Sequence, residues 1–214
     1  VGITATPLDL GDTYTHLIQA GVNSELRDCG ALVAAETYGP DEPDLAKVKI
    51  QAGKDLTEKQ AVSVMMRPGL FGRILENFKL LNPERRPTIC FAPGVKESVW
   101  IAQQFCEAGI PAAHIDGEEI WRDGHLAPAS DQARLELFAD SESGRVCVIS
   151  NRFVLREGID APWLGHGIFA TVFGSLQSYL QAGGRLLRNH HSLSRVTIQD
   201  HGGNWHRHGS LNED

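Results

Sequence analysis

The alternation of short apolar runs with amphipathic segments between residues 87 and 200 constrains the fold of this chain most strongly. Each apolar run holds five to seven residues, which is typical of a buried strand. The segments between the runs place apolar residues three or four apart, which predicts helices. The predicted strands are residues 88–92, 111–116, 145–150, 167–173 and 195–200, and the predicted helices are residues 97–108, 130–138 and 175–188.

Strands that alternate with helices at this spacing favour a parallel sheet covered on both faces, so the predicted fold class is α/β, a three-layer sandwich with a mostly parallel sheet. The carboxyl ends of parallel strands meet at one edge, where such sheets bind ligands. Three segments start at that edge: the loop after Phe91, the segment after Ile149 and the helix after Phe173. In the helices, Val99, Ala102, Phe105, Cys106, Leu135 and Phe138 are predicted to face the core.

The helix predicted after Phe173 has a polar edge that carries two arginines, Arg185 and Arg188. Residues three apart share a helical face, so both guanidinium groups can reach one anion. Gly183 and Gly184 each cost ~1 kcal/mol relative to alanine inside a helix, which favours close approach of another backbone or a phosphate. The alternative is an amphipathic helix whose arginines pair with surface carboxylates. Ser175 is the predicted N-cap, and the predicted apolar stripe is Leu176, Tyr179, Leu180, Leu186 and Leu187.

The spacing Gln181-x-x-Gly184-Arg185-x-x-Arg188 resembles motif VI of superfamily 2 helicases, the arginine-finger motif of their second RecA-like lobe. Residues 150–162 resemble motif V, which ends in Gly-x-Asp-x-Pro, and Phe91-Ala92 resembles motif IV. Residues 4–7, Thr-Ala-Thr-Pro, resemble motif III, which ends the first lobe. The resemblance covers residues 1–7 and 87–209 in family order. The closing residues, 198–209, are similar to those of a phage or prophage subgroup.

The resemblance implies a RecA-like fold and three parts of the chain: residues 1–7 as the tail of the first helicase lobe, residues 8–86 as a partly helical interlobe connector, and residues 87–214 as the C-terminal RecA-like domain. In the connector, residues 14–21 are predicted to be helical, residues 31–38 a strand, and residues 56–66 and 70–81 helices, with Thr57 as an N-cap. The first residue is Val1, which predicts an excised fragment or a processed chain.

The resemblance also implies a role for each matched residue. Arg188 and Arg185 are the implied catalytic residues, and Gln181, Gly158, Asp160 and Gly184 the implied nucleotide-binding residues. Ser150, Asn151, Arg152, Phe91 and Gly94 are the implied nucleic-acid contacts. Many family members have a threonine near Ser150 and Asn151 that contacts a phosphate, and either residue is a possible donor in its place. From the residues alone, Asp160 is an acceptor for a ribose hydroxyl or for an arginine, and residues 94–98 open a helix N-terminus suited to a phosphate.

ATP and Mg²⁺ are the implied cofactors, bound mainly by the first lobe, because the chain contains no Gly-x-x-x-x-Gly-Lys-[Ser/Thr] phosphate loop. The implied partners are that lobe and nucleic acid, with DNA favoured over RNA. The net charge of −7 argues against a general nucleic-acid coat protein but allows a narrow basic groove. No apolar run approaches the ~18 residues of a membrane span, so no membrane contact is expected.

The cysteines and the C-terminal histidines show no pattern typical of a metal site. Cys29, Cys90, Cys106 and Cys147 form no Cys-x-x-Cys pair, and three lie in apolar runs, which favours reduced thiols in a cytoplasmic protein. His201, His206 and His208 lack a carboxylate or cysteine partner in the pattern, so no metal site is predicted.

Two other function classes stay open from the sequence. A nucleotide-binding α/β lobe of another enzyme, such as a glycosyltransferase, would use the arginines on a diphosphate and would bind nucleotide tightly by itself. A non-catalytic interaction module with a RecA-like shape would have no phosphate loop encoded upstream of Val1.

Overall fold

A computed structural model describes residues 16, 18–19, 21–40, 42–46, 48, 50, 53–67, 69–156, 160–188 and 193–214. The Thr-Ala-Thr-Pro segment at residues 4–7 and the predicted nucleotide contact Gly158 lie outside the described residues.

Eight strands and seven helices are formed by the described residues. The strands are β1 (Ala34–Tyr38), β2 (Thr88–Phe91), β3 (Ala112–Ile115), β4 (Glu119–Arg122), β5 (His125–Pro128), β6 (Val148–Asn151), β7 (His166–Phe169) and β8 (Arg195–Asp200). The helices are α1 (Asn23–Asp28), α2 (Glu58–Met65), α3 (Leu70–Leu81), α4 (Val95–Glu107), α5 (Asp131–Glu142), α6 (Leu176–Gly184) and α7 (Asn204–His208), with one 3₁₀ turn at Val154–Arg156.

The strands form one sheet in the order β1-β8-β7-β2-β6-β3-β4-β5. The first six strands in that order pair in parallel, and β4 and β5 add an antiparallel hairpin at one edge. Parallel neighbours need crossover connections, and the helices predicted from the sequence supply most of them. The mostly parallel sheet predicted from the sequence is therefore confirmed.

The sheet separates two apolar cores. In β2, Ile89 and Phe91 belong to one core, whereas Cys90 belongs to the other, because successive side chains of a strand point to opposite faces. Helices α2, α3 and α4 cover the Cys90 face, and α5 and α6 cover the opposite face. The three-layer α/β arrangement is confirmed.

Residues 34–81, within the segment predicted as a connector, contribute directly to this sandwich. β1 pairs in parallel with β8 along the whole of its length. Helix α2 begins at the predicted cap Thr57, whose hydroxyl accepts from the Gln60 backbone N–H while the Gln60 side chain accepts from the Thr57 N–H. Helix α3 has the predicted bounds and buries Ile74 and Phe78 against the sheet.

Several local predictions were wrong. Between the strand predicted at 111–116 and the helix predicted at 130–138, where no further strand was predicted, β4 and β5 form a hairpin. In α5 the inward residue is Leu137, 2% exposed, whereas Leu135 is 66% exposed. The described residues between 16 and 21 are not helical, and a helix begins at Asn23 instead. Strand β5 is exposed along its whole length and α5 carries apolar residues on more than one face, so neither element shows a clear period in the sequence.

Two of the cysteines that lie in apolar runs are part of the core. Cys90 and Cys147 are buried and unbridged, and burial raises their pKa values to about 12 and about 11. A thiol that stays protonated is a poor nucleophile. We therefore interpret Cys90 and Cys147 as core residues and not as reactive thiols. Among the described residues, no helix is long and apolar enough to cross a membrane.

Candidate nucleotide and nucleic-acid site

The register of the sheet brings the predicted motif segments to one edge. Phe91 at the end of β2 lies opposite both Asn151 at the end of β6 and Phe169 at the end of β7. Phe169 in turn lies opposite Asp200 at the end of β8. The segments that follow these four strands therefore start level with one another, as the sequence predicted for three of them.

Ser150 and Asn151, predicted as nucleic-acid contacts, are fully buried in β6. The Asn151 amide donates to the Cys90 carbonyl at 3.0 Å, and its oxygen accepts from the Leu155 backbone N–H at 3.3 Å. These bonds join β6 to β2 and fix the start of the turn that follows. In this conformation Asn151 therefore holds the backbone of the motif V segment in place through buried hydrogen bonds.

Ser150 belongs to a buried chain of polar side chains that the sequence did not reveal. Its hydroxyl is 2.7 Å from that of Ser98, which lies 2.7 Å from His114 Nδ1. His114 Nε2 is 3.5 Å from the carboxylate of Asp116. Burial lowers the pKa of His114, although Asp116 opposes that shift. The chain links α4, β3 and β6, and only the tertiary structure brings its members together.

Arg152, in the segment that resembles motif V, is half-buried. Its guanidinium is 3.8 Å from the centre of the Phe153 ring, within the range of a cation–π contact. Phe153 has a positive φ of 61° and stacks on Phe173 with ring centres 5.6 Å apart. The ring stack places Arg152 beside the start of α6, the motif VI helix.

Phe91 and Gly94, the predicted motif IV contacts, are both buried. Phe91 packs its ring against Phe169 and Phe173. A Cβ at Gly94 would lie 2.1 Å from Glu97 Oε2 and 2.9 Å from Glu58 Oε1, so a side chain here would displace both carboxylates. The Val95 backbone N–H donates to the same Glu58 oxygen at 3.2 Å. A carboxylate therefore lies at the helix start where the sequence predicted a phosphate.

The N-terminus of α6 is held by a second carboxylate, that of Asp55. Its Oδ1 accepts from the backbone N–H groups of Gly174 and Ser175 at 3.1 and 3.2 Å, and the Ser178 hydroxyl donates to Oδ2. Ser175, the predicted N-cap, accepts from the Ser178 N–H. A Cβ at Gly174 would lie 2.3 Å from the Lys54 carbonyl oxygen, so the two segments are in direct contact. No local pattern in the sequence indicates this role of Asp55.

The C-terminus of α6 differs from the prediction. The helix ends at Gly184, so Arg185 and Arg188 do not share the face of one continuous helix. A Cβ at Gly183 would lie 2.5 Å from the Leu211 side chain, whereas one at Gly184 would meet open space. The predicted close approach is thus made at Gly183 by this chain's own C-terminal segment.

The apolar stripe and polar edge of this segment are partly as predicted. Tyr179, Leu186 and Leu187 are buried, but Leu176 is 39% exposed. Gln181 is half-buried in the last turn of α6. Arg185 borders a small apolar cavity with Ile89, Ile149 and Leu155.

Arg188 forms an ion pair with Asp160 of the motif V segment. The two side chains are 38% and 77% exposed, so the pair lies at the surface. The backbone of Arg188 forms a bridge with Leu32, and the Val33 N–H donates to the Leu187 carbonyl at 2.8 Å, which fixes the arginine next to the end of the helix. Of the two acceptor roles predicted for Asp160, the structure contains the one toward an arginine.

The three C-terminal histidines have separate environments. His201 is buried next to Gln199, His208 Nε2 is 2.8 Å from the Phe173 carbonyl, and His206 is exposed. Across the described part of the chain, no group of three or more histidine, cysteine, aspartate or glutamate side chains is arranged to hold a metal ion.

The fold is found in known proteins. Residues 72–190, more than half of the chain, match the helicase conserved C-terminal domain family. A 51.5 kDa protein of a Lactococcus phage (isolate 7-9) is 28% identical over 214 residues. That alignment covers 98% of this chain but 44% of the phage protein, so the chain spans less than half the length of this relative.

Solved structures share the fold at low sequence identity. They include a fragment of a putative HsdR subunit of a type I restriction enzyme from Vibrio vulnificus YJ016 (TM-score 0.63, 14% identity, 89% of this chain and 36% of that one). The ATP-dependent type ISP restriction-modification enzyme LlaBIII bound to DNA is similar with a TM-score of 0.55 (18% identity, 84% and 13%). The C-terminal domain of the DEAD-box protein Dbp5 has a TM-score of 0.51 (19% identity, 66% and 75%).

These neighbours confirm the RecA-like fold class. The family match confirms the resemblance to the C-terminal lobe of superfamily 2 helicases. The chain therefore belongs to the helicase conserved C-terminal domain family.

Proposed function

We propose that this chain is the C-terminal lobe of an ATP-dependent nucleic-acid helicase or translocase and that it supplies the arginine finger and part of the nucleic-acid track. The observation that carries the proposal is the placement of Arg188. Its guanidinium lies at the surface beside Asp160 of motif V, in a chain of the helicase C-terminal family.

In this proposal the active site is divided between two lobes. Phosphoryl transfer needs a phosphate cradle, Mg²⁺ and an arginine finger together. Among the described residues, no group of three or more metal-binding side chains occurs. Mg²⁺ and the phosphate cradle are assigned to a partner lobe that carries the phosphate loop, and this chain contributes Arg188 and Arg185.

The ion pair with Asp160 keeps Arg188 near its place of action. A surface ion pair contributes about 0–1 kcal/mol, because water and salt screen both charges. A triphosphate carries more charge than one carboxylate, so Arg188 can exchange Asp160 for the γ-phosphate at little cost. Asp160 then becomes available to a ribose hydroxyl or to Arg185, while Gln181, Gly184 and Gly158 remain the proposed nucleotide contacts.

The nucleic-acid track is proposed along the carboxyl edge of the sheet. Phosphate contacts by basic side chains and backbone N–H groups position a strand without reading its sequence. Arg152 is the cation of the predicted set and is half-buried, with its guanidinium over the Phe153 ring, whereas Ser150, Asn151, Phe91 and Gly94 are buried. The resemblance to phage proteins and the LlaBIII structure, which was solved bound to DNA, support DNA as the partner.

The test is the substitution Arg188→Ala in the full-length protein. An arginine finger contributes about 10³–10⁵ in rate, so nucleic-acid-stimulated ATP hydrolysis should fall by that factor. The matched control is Arg195→Ala, which removes another exposed arginine paired with a carboxylate, that of Glu36. The control should retain wild-type turnover. Near-normal turnover in the Arg188 variant would refute the assignment.

Calorimetry on the isolated 214-residue chain separates the other function classes. The divided site predicts no ATP hydrolysis and no tight nucleotide binding by this chain alone. Tight binding would favour a nucleotide-binding lobe of another enzyme. A full-length protein that has no phosphate loop would favour a non-catalytic module.

A further inference from the structure

Three exposed residues in α7 form a surface that the proposed motifs do not include. Trp205 is 44% exposed, and His206 and Arg207, which follow it, are exposed as well. The Trp205 and His206 rings meet edge to face with centres 5.3 Å apart. Among the described residues Arg207 forms no ion pair. A partly exposed tryptophan that is followed in the sequence by an exposed cation is typical of a binding surface.

The backbone beneath this surface is locked by a buried carboxylate. Asp200 accepts from the Gly202 N–H at 3.0 Å, from the Asn204 amide at 2.7 Å and from the Trp205 N–H at 2.8 Å. Burial raises the pKa of Asp200, and these bonds oppose that shift. The Asn204 amide also donates to the Thr171 carbonyl at 2.9 Å. The Trp205 side chain is therefore presented from a rigid base, so little conformational entropy is lost when a ligand binds.

A cavity of about 210 Å³ opens beside α7. Pro43 and Leu45 form its apolar wall, and Glu42 adds a carboxylate acceptor. On the opposite side are His206 and Arg207. These groups complement one nucleotide. Apolar and aromatic side chains suit the flat face of a base, the Glu42 carboxylate suits an N–H group at its edge, and Arg207 suits the phosphate.

The surface lies on the edge of the sheet that carries the proposed track. Asp200 ends β8 opposite the end of β7. The Phe173 N–H donates to the Asn204 side chain at 2.7 Å, and Phe173 also stacks on Phe153 of the motif V loop. Arg152 follows β6 and Trp205 follows β8, with β7 and β2 between these strands in the sheet, so a nucleic-acid strand along this edge would cross the ends of β2 and β7 between the two residues.

We propose that Trp205, Arg207 and the adjacent cavity bind one unpaired nucleotide of a single-stranded nucleic acid. The base stacks on the Trp205 indole with its edge toward the cavity, and the phosphate bonds to Arg207. Stacking on an aromatic ring accepts any base, so the contact is independent of sequence. This inference rests on the proposed function, because it extends the track of the same lobe.

The test measures binding of fluorescein-labelled single-stranded oligo(dT), and of oligo(rU) of the same length, to the full-length protein by fluorescence anisotropy. Loss of one base stack weakens binding by roughly 5- to 100-fold, so Trp205→Ala should raise Kd by that factor and Trp205→Phe should restore most of it. Arg207→Ala should reduce the slope of log K against log salt by about one. The DNA and RNA arms show which strand the surface prefers.

The matched control is Trp100→Ala, which removes another partly exposed tryptophan, 38% exposed and packed on Phe71. It should leave Kd and ATP hydrolysis unchanged. Thermal melts confirm that each variant is folded. If the Trp205 and Arg207 variants bind like the wild type while single strands still stimulate hydrolysis, this inference is wrong and the proposed function stands. If the wild-type protein binds no single strand, this inference is wrong, and the Arg188→Ala turnover assay still decides the proposed function.

Discussion

The two ends of α6 are built in opposite ways. At the N-terminus, Asp55 accepts from two backbone N–H groups and from the hydroxyls of Ser175 and Ser178, in a half-buried setting. At the C-terminus, Gly184 borders open space and Arg188 is held by one surface ion pair with Asp160. The N-terminal end of α6 is hydrogen-bonded to a carboxylate of the same chain, whereas the arginine that follows its C-terminal end lies at the surface.

The difference shows how the lobe separates stability from function. Bonds at the start of α6 position the helix on the sheet, since each unsatisfied N–H at a helix start would cost free energy. Weak pairing at its end leaves the arginine available to an anion from another lobe. We therefore expect substitutions at the first end to change stability and substitutions at the second to change activity.

The largest expected effect on stability is that of Asp55→Ala. The substitution leaves four donors without their charged acceptor, and we expect a loss of about 2–3 kcal/mol in the free energy of unfolding. For a chain of this size that corresponds to a fall of about 4–12 °C in Tm. Thermal and urea denaturation of the 214-residue chain measure it.

Lys54→Ala is the matched control for Asp55, because this neighbouring side chain is exposed. Its substitution should change the free energy of unfolding by less than about 0.5 kcal/mol. Equal stability of the Asp55 and Lys54 variants would show that the start of α6 does not depend on the carboxylate.

Alanine substitutions at Gly183 and Gly184 should change the free energy of unfolding by intermediate amounts and in opposite directions. In Gly183→Ala the new methyl group would lie 2.5 Å from Leu211, so overpacking should cost about 1–3 kcal/mol. In Gly184→Ala the methyl group meets open space, and the lower entropy of the unfolded chain should stabilise by about 0.4–1 kcal/mol. Urea denaturation of both variants tests the pair. Shortening Leu211 to alanine in the Gly183 variant should recover part of its loss, and no recovery would contradict the overpacking explanation.

The smallest expected effect on stability is that of Asp160→Asn. It breaks an ion pair between two exposed side chains, so the free energy of unfolding should change by less than about 1 kcal/mol. Chemical denaturation at low and high salt measures the change. A loss as large as that of Asp55→Ala would mean that both ends of α6 are structural, and the comparison would no longer hold.

Much of the fold followed from periodicity. The strands β2, β3, β6 and β8 and the helices α3 and α4 lie within three residues of their predicted bounds, because their apolar residues repeat with the period of the element that they form. Strand β7 ends at Phe169, four residues before its predicted end. The hairpin β4–β5 was missed because β5 is exposed along its whole length and gives no apolar pattern. Leu135 was misassigned because α5 carries apolar residues on more than one face.

The candidate site was only partly predictable. The sequence shows motif-like spacings that contain Asn151, Arg152, Asp160 and Arg188. In the structure, Arg188 and Asp160 form an ion pair. The buried chain from Ser150 through Ser98 to His114 was not visible, since its members come from separate elements. The carboxylates of Glu58 and Asp55 at two helix starts had no local signal for the same reason.

The sequence by itself determined the parallel α/β architecture and the order of the motifs along its edge, because both depend on local periodicity and spacing. The tertiary structure alone decided which groups satisfy the ends of α6, why Gly183 must be glycine and how Trp205 comes to lie beside a cavity. Those outcomes depend on contacts between residues far apart in the chain, such as Asp55 with Gly174 and Gly183 with Leu211. Such contacts form only when the whole sheet and both of its layers are assembled.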